Sequence, residues 1–523
     1  MGDDRRDGRC WGMPASFLLP LQIYYILLDV AAFCPINLHS LRPNSFLLLN
    51  FVPWIQSKQY QSMSTLTIAI IVVFILGYAL IAMESLTKVN KAAIALLMFV
   101  FCWTLYMFDP APFVQLMHPD FKGAGEQVVS FVNALITEHL GDTATTLFFL
   151  MGAMTIVEIV DQNGGFNWVK NVMHSKSKRS LLWKIAFMTF FLSAILDNLT
   201  TSIVMIMILR KLVHERKDRI VYASLVIISA NSGGAFSPIG DVTTIMLWNA
   251  GMITAGGVIS EIFLPSLISM LVPALLLQTA LKGNIEYDDL ANDLTGDREM
   301  LEFTGMQRKA IFAVGVGGLC LVPLFHYLTD LPPFAGILFV LGILWTVTEL
   351  FYRSIHRRRG DNVHFSKRVS NLLSRIDMST ILFFLGILMA VACLEEVGVL
   401  KELGGGLNAT FSGNHYAVTG IIGVLSSIVD NVPLVAGSMG MYPVAATGDM
   451  AVDGIFWQLL AYCAGVGGSM LIVGSAAGVV VMGLEKITFG WYMKHISWIA
   501  FTGYIIGIIS YWIIRSYIFT TPL

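Results

Sequence analysis

The sequence predicts an all-α polytopic membrane protein made of two inverted repeats, each with a re-entrant helical hairpin and a broken transmembrane helix. Three observations support this prediction. Of the 523 residues, 56% are hydrophobic and only 13% are charged, with a mean hydropathy of +0.71, which exceeds what an ordinary soluble domain can bury. Long apolar runs recur along the chain. A set of short motifs occurs twice in the same order.

The apolar runs are about 18 residues or longer, enough to cross roughly 30 Å of bilayer hydrocarbon as helices. They include residues 64–83, 262–280, 309–328, 334–352 and 492–513. In lipid, only helices and closed barrels satisfy their own backbone groups, and these runs are too continuously apolar for barrel strands. Each run therefore predicts a transmembrane helix.

The positions of the basic residues predict the orientation of the chain. Only Lys122, Lys401 and Arg515 lie in one set of loops. The others after Met63 fall in blocks at 88–91, 170–184, 210–219, 282–309, 353–375 and 486–494. The positive-inside rule places these blocks in the cytoplasm. We expect a multi-pass plasma-membrane protein, with a bacterial inner membrane as the default, and the net charge of −2 gives no sign of a nucleic-acid partner.

Four segments are predicted along the chain. Residues 1–62 form an atypical extension, and our hypothesis is that translation begins at Met63. Residues 63–280 form the first half, 281–308 a cytoplasmic linker and 309–523 the second half. The six cysteines show no CxxC spacing and the ten histidines no metal-ligand spacing, so we expect neither disulfides nor a cofactor.

Residues 185–209 predict a re-entrant hairpin. Basic clusters of the cytoplasmic type flank this apolar run on both sides, so a single crossing would leave one cluster outside. Each leg would have about a dozen residues, which is typical of re-entrant segments. The turn is expected at 196–200, which places Asp197 and Asn198 near mid-membrane. Because a carboxylate costs roughly 2.5–3.5 kcal/mol there, a functional role is expected.

The repeated motifs predict an internal duplication. FFLMGAM at 148–154 recurs as FFLGILM at 383–389, SAILDN at 193–198 as SSIVDN at 426–431, and GGAFSPIG at 233–240 as GGSMLIVG at 467–474. The separation between the two copies is therefore nearly the same for all three motifs. A second hairpin, at about 413–440, has few basic residues around it and should open outside. The two units are thus predicted to be inverted.

Glycine and proline interrupt apolar runs at 230–244 and 464–478, which predicts one broken helix in each unit. Inverted repeats with broken helices that meet near the bilayer midplane are typical of secondary transporters. The candidate site residues are polar side chains at the two breaks and the two hairpin tips. They are Asp197, Asn198, Thr200, Thr201, Asn231, Ser237, Asp241, Thr243, Thr244, Ser426, Asp430, Asn431, Ser469 and Ser475. Oxygen ligands without cysteine or histidine favour an alkali cation.

A buried carboxylate also predicts how an ion and a proton could be coupled. Burial favours the protonated form of a carboxyl group, and a second carboxylate nearby favours it further. Na⁺ and H⁺ can then compete for one site. Asp197 and Asp430 are our first choice for this role, with Asp241 as a third participant. Alternatively, Asp197 and Asp430 cap the second legs of their hairpins, and the two roles can coexist.

The stretches FLSAILDNLTTSIVM, SANSGGAFSPIGDVTTIMLW and SSIVDNVPLVAG resemble the NhaD-type sodium/proton antiporters of the ion transporter superfamily, over about residues 63–515. The resemblance implies a homodimeric inner-membrane protein that exchanges cytoplasmic Na⁺ or Li⁺ for external H⁺. At the second hairpin tip, Val432 and Pro433 replace the Leu199 and Thr200 of the first tip. The site is therefore expected to be asymmetric.

Two other functions remain open. A dicarboxylate or arsenite transporter of the same superfamily would share the architecture, although relatives that carry carboxylates have Ser-Asn-Thr at the hairpin tips, where this chain has Asp-Asn. An intramembrane aspartyl protease also needs paired membrane aspartates. However, PIGD at 238–241 lacks the glycine of a GxGD signature, and a protease gives no reason for the repeat. We therefore expect a secondary transporter and not an enzyme.

Overall fold

The computed structural model of the chain describes residues 65–82, 87–173, 175–284, 303–359, 369–428 and 430–517. These residues belong to one compact unit, Thr65–Leu523. The predicted extension 1–62 and most of the predicted linker 281–308 lie outside the described residues. Within the described ranges the chain is helical and forms no β-strand.

The described α-helices, in chain order, are α1 (Thr65–Ala82), α2 (Lys91–Phe108), α3 (Ala111–Met117), α4 (Glu126–Gln162), α5 (Asn167–Met173), α6 (Lys178–Leu196), α7 (Asn198–Leu212), α8 (Arg216–Ala235), α9 (Val242–Asn249), α10 (Ala255–Leu277), α11 (Gly305–Thr329), α12 (Pro333–Arg359), α13 (Val369–Leu372), α14 (Met378–Glu396), α15 (Val399–Thr410), α16 (His415–Ser426), α17 (Asn431–Met441), α18 (Ile455–Gly467), α19 (Ala476–Glu485), α20 (Phe489–His495) and α21 (Ser497–Tyr517). Among them, 8 are long and apolar enough to cross a membrane, namely α2, α4, α6, α10, α11, α12, α14 and α21. The predicted multi-pass helical class is confirmed.

Hairpin 1 consists of α6 and α7 and reverses at Asp197, the single residue between them. Its two ends meet at the start of α8. Lys178 Nζ lies 3.2 Å from Glu215 Oε2, and Arg219 Nη1 donates a hydrogen bond to the Val213 carbonyl at 3.0 Å. Because the first leg begins and the second leg ends beside the start of α8, the hairpin returns to the side on which it begins, as a re-entrant course requires.

The predicted bounds of hairpin 1 were too narrow. Its legs have 19 and 15 residues, not about a dozen each. The first leg begins inside the basic cluster, where Lys178 forms an ion pair with Asp218 and holds the polar end of the helix in place. The predicted turn at 196–200 shrinks to one residue because α7 starts at Asn198, directly after its N-cap Asp197.

The second unit has the same parts. Hairpin 2 consists of α16 and α17, and its ends also meet: the rings of His415 and Tyr442 lie 5.8 and 4.6 Å from the ring of Phe456 at the start of α18. Broken helix 1 is α8 and α9 with a break at 236–241, and broken helix 2 is α18 and α19 with a break at 468–475. Both breaks are shorter than predicted because the glycines before them continue the preceding helix.

Equivalent residues of the two units make equivalent contacts. Ser193 Oγ of hairpin 1 donates to the carbonyl of Ala230 in broken helix 1 at 2.6 Å. Ser426 Oγ of hairpin 2 donates to the carbonyl of Ala464 in broken helix 2 at 2.8 Å. The two donors, and likewise the two acceptors, are separated along the chain by nearly the same interval as the repeated motifs. These contacts are consistent with the duplication that the motifs predict.

The two broken helices run in opposite directions. The start of α8 lies beside the end of α19, where Arg219 Nε is 2.7 Å from Glu485 Oε2. The end of α9 lies beside the start of α18, where the Asp453 N–H donates to the Met252 carbonyl at 3.1 Å. This antiparallel course is what an inverted repeat requires.

Glu485 should be a major stabilising contact between the two units. Its side chain is fully buried and pairs with Arg210 Nε at 2.8 Å as well as with Arg219. We expect Glu485→Gln to lower the free energy of unfolding by about 2 kcal/mol, less than for a fully buried pair because Arg210 is 45% exposed. Thermal unfolding in detergent measures this, with Glu138→Gln on the exposed side of α4 as the matched control. Equal stability of the two variants would contradict the assignment.

Candidate functional site

Asp241 is the centre of the candidate site. It is 1% exposed and caps α9, where its Oδ1 accepts a hydrogen bond from the Thr243 N–H at 3.2 Å. Asn198 Nδ2 at the tip of hairpin 1 donates to Asp241 Oδ2 at 3.2 Å. Asn431 Nδ2 at the tip of hairpin 2 lies 3.2 Å from each of the two carboxylate oxygens. One carboxylate therefore joins both hairpin tips to broken helix 1.

The break of broken helix 2 is connected to these residues through Asn231. This side chain lies on α8 and is fully buried. Its Oδ1 accepts from Asn198 Nδ2 at 3.2 Å, and its Nδ2 donates to Ser475 Oγ, in the break of broken helix 2, at 3.0 Å. We call Asp241, Asn198, Asn431, Asn231 and Ser475 the Asp241 network. Both predicted tips and both predicted breaks contribute to it.

The two carboxylates preferred from the sequence lie next to the network and bond elsewhere. Asp197 has a φ of 87° and accepts from the Thr200 N–H at 2.6 Å and the Thr200 hydroxyl at 2.9 Å. It therefore has the capping role that was the alternative reading. Asp430 makes no side-chain cap bond, and its Oδ2 lies 3.8 Å from Lys91 Nζ. Each aspartate directly precedes a network asparagine.

The remaining candidates mostly tie the backbone together around the breaks. Thr244 Oγ1 lies 2.8 Å from the carbonyl oxygens of both Ser237 and Asp241, and its one proton can be donated to either. Ser469 Oγ donates to the Val466 carbonyl at 2.6 Å, and Ser426 makes the helix contact given above. Thr201 and Thr243 differ, since their buried hydroxyls have no hydrogen-bond partner among the described residues. These two are thus the candidate hydroxyls that could turn to a bound ion.

A cavity of about 510 Å³ lies close to the network, between α4, α9, α14 and α17. Its walls include Met246 in α9 and Ala436 in α17. These residues come five positions after Asp241 and Asn431, respectively, which is about one and a half helical turns. Asp142, His139 and Glu395 contribute ionisable side chains to its lining. The cavity therefore borders the second halves of broken helix 1 and hairpin 2.

The sequence did not predict two of the polar groups near these elements. Lys91 was counted only as a topological charge, and no local pattern indicates its partner on hairpin 2. Nor does a local pattern indicate the partners of Glu396, whose two carboxylate oxygens bond His118 Nε2 at 2.8 Å and His139 Nε2 at 2.9 Å. The two histidines come from a distant part of the chain, so only the folded protein shows these contacts.

Comparisons with known proteins agree with this architecture. A family model described as "citrate transporter" matches residues 78–459. "Sodium/proton antiporter 1" of Arabidopsis thaliana is 42% identical, over 90% of this chain and 75% of the relative. "Na(+)/H(+) antiporter NhaD" of Vibrio cholerae is 27% identical, over 87% of this chain and 94% of the relative.

A solved structure shows the same fold. The YdaH transporter of Alcanivorax borkumensis superposes with a TM-score of 0.54 at 12% identity, covering 81% of this chain and 98% of that one. The family match and the relatives together show a multi-pass membrane transporter and not an enzyme. The chain belongs to the citrate-transporter family of membrane proteins and, within it, to the NhaD-type sodium/proton antiporters.

Proposed function

We propose that this chain exchanges Na⁺ or Li⁺ for H⁺ and that the cation and the proton compete for the Asp241 carboxylate. The observation that carries this proposal is the position of Asp241, a buried carboxylate bonded by an asparagine from each hairpin tip. The names of the relatives support the identity of the two ions. The resemblance implies the direction of exchange, in which a cytoplasmic cation leaves and an external proton enters. It also implies a homodimer, which stays a prediction.

The chemistry of the network suits a small hard cation. Its members offer carboxylate, amide and hydroxyl oxygen, the donor set that hard cations prefer. A cation could replace the amide donors of Asn198 and Asn431 at the carboxylate, and both amides could then turn their oxygens toward it. The buried hydroxyl of Thr201, which lacks a partner among the described residues, could add a further ligand.

Competition follows from the burial of Asp241. An unpaired carboxylate is strongly disfavoured in a dry interior, so it should carry either a proton or a metal cation. When a cation binds, the O–H bond breaks and the proton leaves to water on the side that is open. The charged, empty site should not reorient, and alternating access of the hairpins then moves one ion against the other.

An organic anion fits the network poorly. The Asp241 network contains no lysine, arginine or histidine, and the one ionisable side chain in it is the Asp241 carboxyl group. A dicarboxylate would therefore meet repulsion from the Asp241 carboxylate instead of the cationic pocket it needs. The family model's description names citrate, so citrate is the rival substrate that an experiment should include.

We expect sodium-driven proton movement in liposomes that contain the purified protein and a pH-sensitive dye. After a proton gradient is imposed, NaCl and LiCl should dissipate it, whereas choline chloride, which supplies the same anion, should not. Labelled citrate should not accumulate in the same vesicles. Citrate uptake without any sodium-driven proton movement would overturn the proposal in favour of anion transport.

A further inference from the structure

Lys91 places a fixed positive charge beside the tip of hairpin 2. It is the first residue of α2, and its Nζ lies 3.8 Å from Asp430 Oδ2 and 4.3 Å from the centroid of the Phe383 ring. The Lys91 and Asp430 side chains are only 26% and 20% exposed, so the pair is shielded from bulk water without being sealed from it. The proposed exchange at Asp241 does not involve this lysine.

The two partners belong to different parts of the fold. Lys91 is held by α2, which packs on α14 through contacts such as the hydrogen bond from Trp103 Nε1 to the Met389 carbonyl at 2.8 Å. Asp430 is held by the hairpin whose next residue, Asn431, bonds Asp241. The ion pair therefore links α2 to the tip of hairpin 2, and this tip contributes to the candidate site.

Asp430 and its counterpart in hairpin 1 use their carboxylates differently. Asp197 accepts two hydrogen bonds from Thr200 and caps α7. At the equivalent place in hairpin 2 stands Pro433, which has no N–H to donate, and Asp430 makes no cap bond. The carboxylate of Asp430 is thus left for a cation, and Lys91 supplies one.

We propose that the Lys91 ammonium occupies the Asp430 carboxylate when no metal cation is bound and that the transported cation displaces it. This inference rests on the proposed cation exchange. Two positive charges at one shielded carboxylate repel each other, so the ammonium and the metal ion bind in competition. The Asp430 site then carries a counter-charge in both states, which avoids moving an unpaired carboxylate through a low-dielectric region.

The surroundings of Lys91 allow such a displacement. The Phe383 ring offers the ammonium a second favourable contact. The flexible stem of lysine can also carry the ammonium toward water, since a quarter of the side chain is already exposed. Displacement therefore requires neither unfolding of α2 nor an unsolvated charge.

Equilibrium binding of ²²Na⁺ to the purified protein in detergent tests the inference without depending on transport. Lys91→Met should tighten sodium binding about fivefold or more, because the competitor is gone. Lys91→Arg should keep the charge and bind sodium no more tightly than the wild type. Lys88→Met removes an exposed lysine from the segment just before α2 and should change nothing. A purely structural role for Lys91 would weaken binding when the lysine is lost, not strengthen it.

A double substitution completes the test. If Lys91 acts through Asp430, Lys91→Met should have no effect on sodium affinity in an Asp430→Asn background. Unchanged or weaker sodium binding in Lys91→Met would overturn the inference, and so would an equal gain in both backgrounds. Failure of the wild type to exchange ions in liposomes would instead count against the proposed function, so the two failures can be told apart.

Discussion

Asp241→Asn should reduce sodium-driven proton movement by about 100-fold or more, down to the level of empty liposomes. Asparagine keeps the size of the side chain and can still accept hydrogen bonds through its one amide oxygen. It cannot carry the negative charge that holds a cation, nor an exchangeable proton. The rest of the network consists of three asparagines and one serine, and none of these side chains ionises near neutral pH, so none can take over its role.

Asp449→Asn is the matched control for that experiment. Asp449 lies in the loop before α18, its side chain is 54% exposed, and its Oδ2 lies 3.9 Å from His415 Nε2. The control should exchange ions like the wild type. Both variants should elute as folded protein in size-exclusion chromatography, which separates loss of chemistry from loss of structure. Normal exchange by Asp241→Asn would show that the proton and cation bind elsewhere.

Variants of the hairpin aspartates distinguish two versions of the mechanism. If Asp241 is the exchanging carboxylate, Asp197→Asn should have little effect, because asparagine caps a helix about as well as aspartate, and Asp430→Asn should change cation affinity. Activity should then remain in both. If the first choice from the sequence is right, both variants should be as inactive as Asp241→Asn. The sodium dependence of the three variants, measured side by side, decides between these outcomes.

The sequence located the discontinuities well but not the orientation of their side chains. Polar residues inside apolar runs marked the tips and breaks, and the near-constant spacing of the motifs paired them. Neighbouring residues at a helix start point about 100° apart, so periodicity could not tell whether Asp197 or Asn198 faces the site. The left-handed φ of 87° at Asp197, which turns its carboxylate onto Thr200, depends on the packing of the hairpin.

Long-range ion pairs were beyond the reach of sequence patterns. Lys91 and Asp430 lie in opposite halves of the chain, and each has an ordinary local explanation, the first as a topological charge and the second as a cap. Only the packing of α2 and hairpin 2 in one unit brings them together. Sequence patterns also do not predict the ion pairs of Glu485 at the end of α19. Its two partners, Arg210 and Arg219, have a local explanation as basic residues of a cytoplasmic loop.

Alanine at Gly467 should prevent stable folding because two backbones meet there. A Cβ atom at Gly467 would collide with the carbonyl oxygen of Gly423 in hairpin 2, and one at Gly233 with the carbonyl oxygen of Phe190 in hairpin 1. A backbone carbonyl cannot rotate away as a side chain can. We expect Gly467→Ala and Gly233→Ala each to lower the free energy of unfolding by about 3 kcal/mol or to abolish accumulation of the protein.

Gly483→Ala is the control, since no atom outside its own helix lies within 4 Å of a Cβ there. It should unfold at the wild-type temperature or slightly above it, because alanine favours the helix by about 1 kcal/mol over glycine. Thermal unfolding followed by tryptophan fluorescence measures all three variants. Gly233 and Gly467 each begin the third repeated motif of their unit, and the two units pack a hairpin against a broken helix in the same way. The duplication therefore requires both substitutions to be harmful, and tolerance of only one would mean that the two hairpins are not held by the same contact.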